Sequence, residues 1–232
     1  MKAQARVAGF LYLVVIVTAL YAEAIVRGNL IVPGDPAGTA RAILAAETVY
    51  RLGFVADLLN FASYIGVVLI FQRLFAPAGR TLSLVAAGFG MTGIVTGAAN
   101  MLNQYAPLFL LKGAPYLAVF TAAQLQSWAY IFVRLHSFGY LISMVFFGAY
   151  CVLLGSLILR ANFVPRVLGV LLAVAGTGYL VNSFGIFLNV DAVIAYNIFL
   201  LLPGFVAELS LTLWLIVMGV DEDKWRAQAA AQ

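Results

Sequence analysis

Six times along the chain, about 20 residues pass with almost no charge among them. At 1.5 Å of rise per residue, a helix of that length crosses a hydrocarbon layer about 30 Å thick. The runs are Val7–Ile25, Leu52–Phe71, Leu82–Met101, Phe138–Leu159, Val164–Phe187 and Val193–Val220. They are continuous and lack the alternation of barrel strands. The expected fold class is all-α, an integral membrane six-helix bundle. Charge supports this: 9% of the 232 residues are charged, against roughly 25% in soluble domains. So few charges could not cover a soluble surface. The net charge of +4 is spread between the runs with no basic tract, so no nucleic-acid partner is expected. The one cysteine, Cys151, lies inside an apolar run and can form no intramolecular disulfide.

Residues 1–220 read as a single transmembrane helical domain, and 221–232 as a short, polar, frayed cytoplasmic tail. The start has a rival reading. Lys2 and Arg6, the apolar Val7–Leu20 stretch and Ala22-Glu23-Ala24 resemble a signal peptide. Retention as a first span is favoured, because the later spans then obey the rule that cations gather on the inner side. With both termini cytoplasmic, Lys2, Arg6, Arg73, Arg80, Arg160, Arg166, Lys224 and Arg226 fall inside. Arg27, Arg41, Arg51, Lys112 and Arg134 fall outside, eight against five. The location this implies is the cell's inner (plasma) membrane, with the bilayer as the first partner.

Two outer connections are long, and each opens on a helix-start signal. Asp35 can cap a helix with Pro36 at its first position. Thr121-x-x-Gln124 reads as a capping box, in which two residues satisfy each other's exposed N–H groups. Helical sequence continues from each through Arg51 or Arg134 into the next span. These are two long outer lead-in helices, each of about 40 residues and near 60 Å if straight.

Polar residues inside the spans are scarce enough to be informative. Thr92, Thr96, Asn100 and Asn103 form one helix face, as do Asp57, Asn60 and Tyr64. Asn197, Gly204, Glu208 and Thr212 form another, and Tyr179 and Asn182 stand three apart. Tyr12 and Glu23 lie near one stripe. His136, the only histidine, lines up with Tyr140 and Ser143 below Arg134. An ionised side chain at the bilayer centre costs about 2.5–3.5 kcal/mol on insertion scales, so such groups are expected to face one another. Glu208 lies near mid-span, about 20 Å from either end. The expected arrangement is an outward-open polar cavity lined by Glu208, Asp57, Asn100, Asn103, Glu23, His136, Arg134 and Asn182. The plainer reading is helix-to-helix hydrogen bonding, with ion pairs Asp57–Arg51 and Glu23–Arg134.

Two patterns point away from familiar chemistry. Gly88–Gly93, GFGMTG, matches the dinucleotide fingerprint but sits in an apolar span with no strand before it. Its continuation to Gly97 gives small residues four apart, which let membrane helices approach closely and suggest a homo-oligomer through Gly93 and Gly97. Gly169, Ala173 and Gly176 have similar spacing. His136 with Glu23, Asp57 and Glu208 has the ligand types of a metal site, but no second histidine and no His-x-x-x-His supports it, and Ser63, Ser143 and Ser183 have no evident base-and-acid partners in the sequence. No catalytic residue, metal or cofactor is assigned.

Several phrases in order resemble a known family. They are ARVAGFLYLVVIVTALYAE, LIVPGDPAGTA followed by RLGFVADLL, AAQLQ, LHSFGYLISMVFFG, FVPRVLGVLLAVAG and PGFVAEL, covering about Ala5 to Gly219. The chain resembles the bacterial multi-pass membrane proteins grouped as domain of unknown function 4386. The resemblance implies a helical inner-membrane protein and assigns no reaction, ligand or partner. Glu23, Arg51, Asp57, His136 and Glu208 fall within these phrases and Asn103 between them, and none inherits a role from the resemblance.

The leading functional expectation is binding or transport of a small amphipathic or cationic molecule. Glu208, Asp57 and Glu23 would supply charge, the asparagines direction, and His136 sensitivity to pH. The alternatives are an intramembrane enzyme using His136 with carboxylates, and a structural or regulatory subunit packing through its glycine faces.

Overall fold

Each apolar run becomes a helix. In the computed structural model, which describes residues 1–231, six helices are long and apolar enough to cross a membrane. Gln232, the last residue of the tail, lies outside the described residues. Among the described residues there is no strand, and GFGMTG lies inside a helix.

The first span is longer than its apolar core. Helix α1 (Lys2–Leu20) continues through a wider π-helical turn (Tyr21–Arg27) into α2 (Gly28–Leu30). Then come α3 (Pro36–Ala45), α4 (Glu47–Phe75), α5 (Arg80–Leu111), α6 (Ala122–Arg160), α7 (Arg166–Phe187), α8 (Asp191–Val217) and α9 (Glu222–Ala230). The helix starts follow the sequence signals. An Asp35 carboxylate oxygen accepts from Gly38 N–H with Pro36 in the first turn. Gln124 N–H donates to Thr121 Oγ1 at 3.3 Å, and Thr121 N–H donates to Gln124 Oε1 at 2.8 Å.

The two long lead-ins differ. The second is one helix of 39 residues, α6. The first is broken at Ala46, which leaves helical geometry at φ −121°, ψ 40°. Nothing local marks that break, since alanine is the best helix former. Ile43 before the break and Tyr50 after it are buried in one cluster with Val26, Leu30 and Leu108. In a straight helix Ile43 would stand about 10 Å further out than Tyr50.

The chain forms two compact units. One comprises Val15–Phe61 and Thr96–Tyr140. Its connection from α2 to α3 is pinned at both ends. Thr39 Oγ1 receives Val32 N–H and donates to Val32 O. Gly34, at φ +75°, takes the left-handed turn that a Cβ disfavours, and its N–H donates to Tyr130 Oη at 2.7 Å.

The other unit comprises Met1–Val14, Ala62–Val95 and everything from Leu141 onward. Here α6 and α7 touch backbone to backbone at two antiparallel glycine pairs. A Cβ on Gly155 would meet Gly169 O at 2.6 Å, and one on Gly148 would meet Gly176 O at 2.9 Å. Small residues at these crossings are what lets membrane helices close up. Gly93 packs against the Phe147 ring, and Gly93 and Gly97 are both buried.

The tail departs from the frayed segment expected of its composition. Asp221 caps α9, its carboxylate accepting from Lys224 N–H. Trp225 Nε1 donates to Leu74 O at 2.8 Å, and Gln228 Nε2 donates to Arg160 O at 3.1 Å. Leu74 and Arg160 lie in the last turns of α4 and α6, where carbonyls lack intrahelical partners. The tail helix supplies those partners. The N-terminal ammonium pairs with Glu222 at 3.0 Å.

Candidate functional site

Because the first span runs to Leu30, Arg27 belongs to it and not to a loop. Arg27 lies one helical turn after Glu23, and its Nε donates to Glu23 Oε2 at 2.6 Å. From α4, Asp57 meets the same guanidinium twice, Nη1 to Oδ2 at 2.6 Å and Nη2 to Oδ1 at 3.3 Å. From α5, Gln104 Oε1 accepts from Nη1 at 2.8 Å. Gly53 permits the approach, because a Cβ there would come within 2.9 Å of the Val26 side chain.

The pair is well enclosed: the Arg27 and Asp57 side chains are 14% and 11% exposed. Glu23 is 68% exposed and faces outward from the cluster. Two carboxylates share one guanidinium, leaving one net negative charge. Fork-shaped pairing of guanidinium with carboxylate is directional, so it fixes both side chains.

Next to this cluster lies a second one. Asn100 Nδ2 donates to His136 O at 2.8 Å and lies 3.3 Å from His136 Nδ1. Asn103 Nδ2 donates to Asn100 Oδ1 at 2.9 Å. Gly139 makes room, since a Cβ there would collide with the Asn100 amide. Tyr50 Oη donates to the Gln104 backbone carbonyl. These groups frame a cavity of about 330 Å³ lined by Glu23, Arg27, Gly28, Ile31, Pro33, Tyr50, Gln104, Val133, His136 and Ser137. That volume is at the lower end of small-molecule sites, and the mixture of apolar wall with a few polar groups is typical of them.

A family model described as Domain of unknown function (DUF4386) matches residues 7–219. The chain belongs to this family. No curated protein and no solved structure matches it. As a DUF4386 member with six helices apolar enough to span, it is a multi-pass membrane protein in contact with a lipid bilayer.

In this DUF4386 chain the eight residues expected to share a cavity are placed as follows. Glu23 and His136 line it. Asp57, Asn100 and Asn103 stand behind its lining, bonded to Arg27 or beside His136. Arg134 is exposed, with its guanidinium over the Phe138 ring at 5.6 Å. Glu208 and Asn182 belong to the other unit. There Tyr179 Oη donates to Glu208 Oε1 at 2.6 Å, and Gly204 leaves room for that hydroxyl. Thr212 is buried on the same face, whereas Asn197 is exposed just past a departure from helical geometry at Tyr196.

The expected ion pairs are re-partnered. Asp57 and Glu23 both bind Arg27. Arg51 binds Glu47 at 2.7 Å and Tyr105 Oη at 2.8 Å. Arg51 and Asp57 are six residues apart, about 120° around the helix, so they cannot face each other. Arg27 and Gln104 are the residues sequence reasoning missed. Gln104 continues the Asn100 stripe at i+4, one residue past Asn103, and that spacing is a signal that could have found it. Arg27 lies two residues past Ile25, where the apolar run ends. Among the described residues no group of three His, Cys, Asp or Glu side chains is placed to hold a metal ion.

Proposed function

We propose that the protein binds a small amphipathic molecule bearing a positive charge in the cavity beside Arg27, and that this binding serves its transport or sensing at the membrane. The observation that carries the reading is the sharing of one enclosed guanidinium by Glu23 and Asp57 at the wall of a 330 Å³ cavity. Asp57 is consumed in orienting Arg27. Glu23 keeps an oxygen outside its bond to Arg27 and is the group available to a cation. Ile31, Pro33 and Val133 would receive the apolar part. The reading places the protein in the inner membrane with both termini cytoplasmic and the cavity toward the outer side, as the gathering of cations at the expected inner ends of the spans supports. Glu208 with Tyr179 is a separate polar point in the other unit, and the amine site does not need it.

The test uses purified protein and two probes of equal length, hexylammonium and hexanol. Hexylammonium is expected to raise the thermal midpoint more than hexanol, and Glu23→Gln to remove the difference. Equal effects of the two probes on the parent protein would defeat the reading.

A further inference from the structure

Gln104 carries a hydrogen-bonding group that the fold does not use. The residue is 2% exposed. Its Oε1 accepts from Arg27, so the opposite atom of the amide, Nε2, is the NH2 group. That buried Nε2 has no hydrogen-bond partner. A buried donor left unmade is costly, and fully enclosed ones are rare in native structures.

The second donor follows from a chain of fixed orientations. Asn100 Nδ2 points at the His136 carbonyl oxygen, which can only accept, so Nδ2 is an NH2 group. Asn103 donates to the other atom, Oδ1, in agreement. His136 Nδ1 stands 3.3 Å from the same NH2 and must present its lone pair. The ring hydrogen of the neutral imidazole therefore sits on Nε2. Gln104 and His136 line the same cavity as Glu23.

We propose that Gln104 Nε2 and His136 Nε2 form a specificity element for an acceptor oxygen, so that the cavity selects an ammonium group set beside a phosphoryl oxygen over a bare amine. This rests on the reading of the cavity as an amine site. Glu23 takes the ammonium, and the two N–H donors take the oxygen. The matching chemistry is that of phosphoethanolamine, whether free or as the headgroup of a membrane lipid.

The experiment uses the full-length purified protein. Propylammonium and phosphoethanolamine are titrated by thermal shift, and retention of phosphatidylethanolamine against phosphatidylglycerol is read by native mass spectrometry. Phosphoethanolamine, or phosphatidylethanolamine if the source is lipid, is expected to bind roughly tenfold or more tightly than its comparator. Gln104→Glu keeps an oxygen for Arg27 and replaces the free NH2 by oxygen. It is expected to abolish the preference for phosphoethanolamine over propylammonium. His136→Phe is the second variant and should weaken the same preference. Equal binding of both soluble probes together with no lipid preference overturns this inference and leaves the amine site standing. An undiminished preference in both variants also overturns it. Failure of every amine, soluble or lipid, to bind overturns both.

Discussion

Arg27 and Asp57, 30 residues apart in the chain, are joined by two hydrogen bonds between the guanidinium and both carboxylate oxygens. Each partner is nearly enclosed. That makes the pair intolerant of single changes, and its behaviour is the sharpest check on the site's architecture.

Arg27→Met strands the Asp57 carboxylate and the Gln104 carbonyl. Breaking an enclosed ion pair from one side costs about 3–5 kcal/mol, so the thermal midpoint of the purified protein should fall steeply. The double variant Arg27→Met/Asp57→Leu removes both charges and is expected to recover most of that loss. A single variant as stable as the parent would show the pair to be incidental.

Gly155→Leu should be strongly damaging in the other unit. A Cβ at 155 already meets the Gly169 carbonyl oxygen and Ala173 N at 2.6 and 2.8 Å. Overpacking typically costs about 1–3 kcal/mol, and here the obstacle is backbone, which cannot rotate away. Gly88→Leu is the control, since a Cβ there meets nothing within 4 Å. The two variants should separate clearly in yield and thermal midpoint.

Trp225→Phe keeps the ring bulk and removes the N–H that caps Leu74 O. It should leave the spans intact and loosen α9, read as faster proteolysis or amide exchange confined to 222–230. Gln228→Ala should act in the same direction, because it removes two hydrogen bonds to the end of α6 and the turn after it.

Acid should release the same tail. The hydrogen bond and charge of the N-terminal ammonium hold the Glu222 carboxyl below its ordinary range, and the Lys224 side chain does the same for Asp221. A carboxyl depressed in the folded state contributes stability above its unfolded pKa and loses it as pH falls through the folded value. Amide exchange in 222–230 should therefore be slow at neutral pH and quicken below the ordinary carboxylate range. Glu222→Gln should flatten much of that dependence. The effect is small, since these groups are exposed and screened.

Much of the architecture was legible in residues such as Leu52–Phe71 or Phe138–Leu159, because oil admits only helices whose backbone groups are satisfied internally. Asp35-Pro36 and Thr121-x-x-Gln124 marked helix starts for an equally local reason. Glu23, Asp57, Asn100, Asn103 and His136 drew attention through their cost in an apolar setting. Arg27 escaped because it lies just past the apolar core of its span, where hydropathy no longer distinguishes helix from loop, and Gln104 because nothing but its spacing sets it apart from the loop expected after Asn103. The tail escaped because its helix is held by Trp225 and Gln228 reaching carbonyls at the ends of α4 and α6, and no periodicity records such contacts.

By itself, the order of residues determined that this chain crosses a membrane as helices, and which few side chains had to escape lipid. It did so because hydrophobicity and capping act within a turn or two of each residue. Only the tertiary structure decided that Arg27 would join Glu23 and Asp57, that Ala46 would break a good helix, and that the Gln104 NH2 group would be left without a partner. Those outcomes depend on distance and angle between groups far apart in sequence, where many pairings are chemically acceptable and packing selects one.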